Sequence, residues 1–287
     1  MVLRQRGQVL TSARRRVAVL GSPIEHSLSP VLHRAAYHAL GLDWSYQAIE
    51  VQEAGLAGFL DGLDDSWAGL SLTMPLKEAV LPLLDSVSDL AEITHCANTV
   101  LLCASGRSGD NTDVPGIVAA VRASGGAGAQ RVCIIGAGAT ARSAVAAAAQ
   151  LGAREVVVVA RRLQAGQSVI SVAHRLGLTA RVRGWDASGD ALMADLVIAT
   201  VPGDAAASLA QAVPDKPGLL LDVTYWPWPT SLADSWLRAG GSAIPGSQML
   251  LWQAARQVEL MTGRTAPITD MARALEAALS ARTGVGT

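Results

Sequence analysis

Lysine is nearly missing from this chain of 287 residues. Of 23 basic residues, only Lys77 and Lys216 are lysine, and the others are arginine. A lysine is therefore worth explaining where it occurs. Arginine stays protonated, whereas lysine can release a proton when burial or neighbours lower its pKa. Lys77 is either a proton-transfer residue or part of a solvated helix start. Cysteine is also scarce, with Cys96, Cys103 and Cys133 in or beside apolar runs and no CxxC pair. That excludes a disulfide framework and a zinc site, and points to buried thiols in a reducing cytoplasm. Long apolar runs are lacking too. Stretches such as 143–151 are too short to span a bilayer. Net charge is −1, so neither nucleic acid nor an anionic membrane is indicated as a partner. Basic charge gathers at Arg4, Arg6, Arg14, Arg15 and Arg16, with no apolar run behind it, so a frayed leader is expected rather than a secretion signal.

What is present is an alternation of short apolar runs with Ala-rich amphipathic stretches. Strands are predicted at 16–21, 44–50, 67–72 and 98–103, with Gly106 in a turn after the last. Helices are predicted from Ser29-Pro30 to Leu40, with Ser29 at the N-cap, from Glu53 to Leu63, and from Pro75 towards Leu84. Strands separated by helices imply parallel βαβ units. The pattern restarts after Ser124-Gly125-Gly126-Ala127-Gly128, with strands at 131–135, 155–160, 196–200 and 219–223 and a helix at 139–151. Val156 to Val159 is a β-branched run of the kind found in central parallel strands. Residues 248–261 and 268–281 read as helices without strands. The expected fold is α/β in two domains. Residues 1–112 with 246–287 form a mostly parallel substrate domain, and 113–245 form a Rossmann-type dinucleotide-binding domain. The terminal helices return to the first domain.

Gly136-Ala137-Gly138-Ala139-Thr140-Ala141 follows a strand and opens a helix, fitting G-x-G-x-x-A. The first glycine permits a tight turn, the second a close approach of backbone to pyrophosphate, and the small Ala141 close packing of helix on strand. The helix N-terminus then offers free N–H groups and a positive dipole to phosphate. The next strand ends at Ala160 and continues Arg161-Arg162, with no acid for a ribose 2′-hydroxyl. Two arginines suit a 2′-phosphate, so NADP is favoured over NAD. Thr200 and Gly246 complete the expected cofactor-binding set.

Four further segments place polar groups at strand ends: 21–30, 71–77, 97–99 and 109–113. The C-terminal ends of parallel strands are where open α/β sheets bind ligands. Each group also has a purely structural use, with Ser29 as a cap, Asn98 as a loop brace and Asp113 as a helix start. His26 and His33 lack partners at metal-ligand spacing, and 110–113 lacks the oxygens of a calcium loop, so no metal is expected.

Taken in order, these segments resemble the shikimate dehydrogenase family from Gly21 to about Gly263. Gly21 to His33 matches G-x-P-x-x-H-S-x-S-P-x-x-H-N except at its final Asn, which is Arg34 here; its serines fall on Ser27 and Ser29. Leu72 to Lys77 matches N-V-T-x-P-x-K with Ser71 in place of its leading Asn. The resemblance implies Lys77 and Asp113 as the catalytic pair. It implies Ser27 and Ser29 for the substrate carboxylate, and Thr73, Asn98, Asp113, Tyr225 and Gln253 for the rest of the substrate. Asp113 comes from Gly109 to Gly116 (G-x-N-T-D-x-x-G), Tyr225 from Asp222 to Pro227, and Gln253 from Gly246 to Ala254. The family's N-R-T for the 2′-phosphate is Ala160-Arg161-Arg162 here.

The implied reaction is reversible, NADPH-dependent reduction of 3-dehydroshikimate to shikimate, in aromatic amino-acid biosynthesis, by a cytoplasmic monomer or homodimer. A quinate or aminoshikimate dehydrogenase would share the fold and the Lys–Asp pair. A non-catalytic shikimate- or NADP-binding sensor would have no need of Lys77 or Asp113.

Overall fold

The computed structural model describes residues 14–126 and 128–283. Arg4 and Arg6 of the basic leader, and Ala127 of the Gly-rich joint, lie outside them. The first part of the chain runs β1 (Arg15–Gly21), α1 (Ser29–Ala39), β2 (Trp44–Glu50), α2 (Glu53–Asp61), β3 (Trp67–Leu72), α3 (Leu76–Ala79), β4 (Ser86–Val87), α4 (Asp89–Thr94), β5 (Thr99–Cys103) and β6 (Gly106–Asp110). These strands form one sheet in the order β2-β1-β3-β5-β6-β4. β1 pairs in parallel with β2 and β3, whereas β3–β5 and β5–β6 are antiparallel.

The chain continues with α5 (Asp113–Ala123), β7 (Arg131–Ile135), α6 (Ala139–Gln150), β8 (Glu155–Ala160), α7 (Gln167–Arg175), β9 (Thr179–Gly184), β10 (Leu196–Ala199), β11 (Leu219–Asp222), α8 (Ser231–Arg238) and β12 (Ser242–Pro245). The second sheet has the order β12-β11-β10-β7-β8-β9, and every pairing is parallel. Its order reverses between β7 and β10, where a doubly wound sheet opens a crevice. Val156 to Val159 are all fully buried. Burying such a side chain is worth roughly 1.5–3 kcal/mol, which is why this β-branched run forms a central strand.

The last helices are α9 (Gly246–Thr262) and α10 (Ile268–Thr283). Leu251, Ala254 and Val258 of α9, with Met271 and Leu275 of α10, share one core with Val17, Val19 and Leu32. The terminal helices therefore pack on the first sheet, as expected.

Several expectations change. Gly106 opens strand β6 rather than lying in a turn, and the turn is Ala104-Ser105. Its φ is +114°, and a Cβ there would strike the Asp85 carboxylate, so glycine is required. Leu28, not Ser29, is the N-cap of α1, and Ser29 is its first helical residue. Cys96 and Cys133 are buried, but Cys103 is exposed because it ends the β5 side of that hairpin. The sequence pattern also missed α4, α7, α8, β4, β9 and β12.

Candidate active site

The functional segments meet because each lies at a strand end on one edge of the sheet, the antiparallel β5 bringing its start beside the end of β3. Gly21 ends β1, Leu72 ends β3, and Asn98 precedes β5. Asp113 starts α5 immediately after the turn from β6. Lys77 lies on α3, one turn past β3. Its ammonium donates to Oδ2 of Asp113 at 2.5 Å, and the two side chains are 13% and 5% exposed. Oδ1 of Asp113 accepts from Asn98 Nδ2 at 2.8 Å. The same Asn98 amide group donates to Gln253 at 3.3 Å, while its carbonyl oxygen accepts from the Thr112 N–H at 2.8 Å. Asn98 thus braces a loop and orients a carboxylate at once. Asp113 occupies a helix N-terminus, where the dipole favours negative charge. Lysine carries three donors, so two remain after Asp113 is served.

A cavity of about 330 Å³ opens beside this pair. Ser27, Ser29, Thr73, Lys77, Asn98, Asp113, Tyr225 and Gln253 all line it, and so does Gly246. That unites every residue expected to touch substrate. Tyr225 also donates its hydroxyl to the His26 carbonyl at 3.3 Å, which ties the loop after β11 to the segment carrying Ser27. Asp222, at the end of β11, accepts from the Thr224 N–H and the Thr230 hydroxyl. Burial pushes the Asp222 carboxyl upward, partly offset by those hydrogen bonds.

A second cavity, of about 420 Å³, lies at the reversal point of the second sheet. Gly136, Ala137, Gly138, Ala139, Thr140 and Thr200 line it, and Thr73 and Lys77 line it as well. Lys77, Thr73 and Thr140 belong to both cavities. Gly136 has φ +120°, and a Cβ there would collide with Oγ1 of Thr200. That hydroxyl donates to the Ile135 carbonyl at 2.8 Å. A Cβ on Gly138 would meet nothing within 4 Å, so only glycine keeps that space clear. Gly138 caps α6 without any side-chain hydrogen bond, leaving the helix terminus open to an anion. Ala141 is fully buried and acts in helix–strand packing. Arg161 and Arg162 lie outside both cavities, exposed just past β8, with no side-chain ion pair among the described residues. A glycine cradle, an uncapped helix terminus and two unpaired arginines fit a phosphorylated dinucleotide.

Residues 19–100 match the shikimate dehydrogenase substrate binding domain, and residues 246–276 match the shikimate 5′-dehydrogenase C-terminal domain. Residues 131–225 match a family described as NADP oxidoreductase, coenzyme F420-dependent. A shikimate dehydrogenase (NADP(+)) of Methanopyrus kandleri is 34% identical over 275 residues, covering 90% of this chain and 94% of the relative. The chain belongs to the shikimate dehydrogenase family. Among solved structures, the shikimate dehydrogenase of Mycobacterium tuberculosis superposes with a TM-score of 0.83 at 41% identity, covering 92% of this chain and 99% of that one. The Thermus thermophilus shikimate 5-dehydrogenase, in complex with NADP(H) and shikimate, gives 0.82 at 32% identity, covering 92% and 99%.

The departures from the shikimate dehydrogenase motifs have local explanations. Ser71, in place of the motif's Asn, lines the first cavity, accepts from the Tyr46 hydroxyl at 2.7 Å and donates to Gln257 at 2.9 Å. Arg34, in place of the other Asn, donates to the Tyr46 carbonyl at 2.9 Å. Gln257 and Arg142 were missed from sequence. Gln257 lies one turn after Gln253 on the same helix face, a spacing that was there to be read. Arg142 stands in an Ala-rich helix with nothing in the sequence to mark it, yet it is buried.

Proposed function

We propose that this protein is an NADP-dependent shikimate dehydrogenase, catalysing the reversible reduction of 3-dehydroshikimate to shikimate in aromatic amino-acid biosynthesis in the cytoplasm. Residues 1–112 with 246–287 act as its substrate domain and 113–245 as its cofactor domain. The observation that carries this reading is the Lys77–Asp113 pair at the junction of the two cavities. Bound NADPH supplies the hydride. Negative charge then grows on the ketone oxygen. Lys77, held by Asp113, stabilises that charge and delivers a proton, and such acid–base help is worth roughly 10²–10⁴-fold in rate. Arginine could not readily give up that proton. Ser27 and Ser29 hold the carboxylate. Thr73, Asn98, Tyr225 and Gln253 receive the remaining polar groups and fix the reacting carbon in place. Gly136 to Thr140 with Thr200 cradle the dinucleotide, and Arg161 and Arg162 receive its 2′-phosphate.

The test is oxidation of shikimate, quinate and aminoshikimate, each with NADP and NAD, followed at the reduced nicotinamide absorbance. Turnover should be confined to shikimate with NADP, and Arg161→Ala should weaken NADPH more than NADH. Turnover of quinate alone would move the substrate assignment, and an absence of turnover with cofactor binding intact would favour the sensor. Equal effects of Arg161→Ala on both cofactors would remove the 2′-phosphate assignment.

A further inference from the structure

Lys77 lies on a helix of only four residues, too short to hold its own direction. Its neighbour Glu78 accepts an ion pair from Arg142 at 2.8 Å. Arg142 belongs to α6, the helix whose first turn lines the cofactor cavity, and its side chain is 6% exposed. It also donates through Nε to the Thr94 carbonyl at 2.7 Å and through a terminal nitrogen to the His95 carbonyl at 3.3 Å. Those carbonyls end α4, and Asn98 follows shortly after. The Ala97 N–H donates to the Lys77 carbonyl at 2.8 Å, which joins the two segments directly. Beside Arg142, Ser143 accepts from Asn111 Nδ2 at 3.0 Å, and Asn111 Oδ1 accepts from the Asp113 N–H. One buried face of α6 is thus bonded to the segments bearing Lys77, Asn98 and Asp113.

A buried guanidinium is costly unless its donors are served. Here they are served by groups belonging to the substrate side of the cleft. We propose that Arg142 is a positioning residue for Lys77, acting through Glu78, and that it couples the cofactor helix to the acid–base lysine. Lys77 and Glu78 are consecutive, so their turn is fastened on one side to Asp113 and on the other to Arg142. Glu78 also lines the cofactor cavity, and Arg142 offsets its negative charge where a polyanion is expected. The inference rests on Lys77 being the acid–base residue.

Truncation of buried Arg142 can unfold α6, so Glu78, at 51% exposure, carries the test. Glu78→Ala, Glu78→Gln and Lys77→Ala are compared for kcat, KM for shikimate, NADP Kd and Tm. Glu78→Ala should keep its Tm and its KM within about twofold and lose roughly ten- to a hundredfold in kcat, the scale of a small misplacement of a reacting group. Glu78→Gln keeps an acceptor for Arg142 and should recover most of that loss. Wild-type kcat in Glu78→Ala beside an inactive Lys77→Ala would overturn the coupling alone. A loss confined to NADP affinity, or equal kcat losses in the two Glu78 variants, would overturn it too. An active Lys77→Ala would instead remove the acid–base reading on which the coupling depends.

Discussion

His33 is fully buried, stacked on Tyr46 with ring centroids 4.0 Å apart. The Tyr37 hydroxyl donates to its Nδ1, and its Nε2 donates to Gln257 Oε1 at 3.2 Å, which fixes the neutral tautomer. Gln257 in turn donates to the Asn98 carbonyl and the Thr99 hydroxyl. His33 thus supports the floor of the substrate cavity without facing it. Burial pushes its pKa from 6.5 down to about 3, against a smaller upward pull from Gln257. The sign follows from which state takes the proton. Below about pH 6.5 the unfolded chain protonates His33 and the folded protein does not. Stability is therefore fully present above that pH and declines towards pH 3, by up to about 1.4 kcal/mol per pH unit. Urea unfolding at pH 7 and pH 5 should show a larger loss for the wild type than for His33→Gln. Equal losses would mean that His33 is not the group responsible.

At the scale of elements, the turn between β7 and α6 separates two uses of glycine. Gly136 needs its positive φ and has no room for a Cβ, whereas Gly138 has φ −90° and open space. Gly136→Ala should cost on the order of 1–3 kcal/mol in stability. Gly138→Ala should leave Tm nearly unchanged and weaken NADP binding, because its methyl group enters the space kept for pyrophosphate. Normal NADP affinity in Gly138→Ala would contradict that use of the turn. This turn was legible in the sequence because its glycines serve local geometry. Strands β1, β3, β7 and β8 were legible for a similar reason, since burial on the sheet demands apolar or β-branched runs. Strand β6, Gly-Arg-Ser-Gly-Asp, has no such run and is held by pairing with β5. Its Ala104-Ser105 turn also lacks the Asn-Gly or Asp-Gly signal of a hairpin. Strand β9 is an edge of the second sheet with little burial, so its pattern is weak.

For the whole molecule, the site depends on contacts that no single segment contains. Lys77 comes after β3, Asp113 opens α5, Thr140 lies on α6, and Gln253 comes from the returning α9. The family motifs made these residues legible one at a time. The links among them through Arg142 and His33 were not legible, because polar residues on helices carry no mark of burial in sequence, and only the spacing of Gln257 from Gln253 hinted at its part. No helix among the described residues is long and apolar enough to cross a membrane. The two cavities meet at Lys77, so cofactor and substrate would be brought together there.

The most direct measurement on the central claim is kcat for shikimate oxidation by Lys77→Ala, taken together with its NADP Kd. A fall in kcat of about 10²–10⁴-fold with NADP affinity within about twofold of the wild type is the expected result. An unchanged kcat would contradict the role of Lys77, and with it the mechanism built on the Lys77–Asp113 pair.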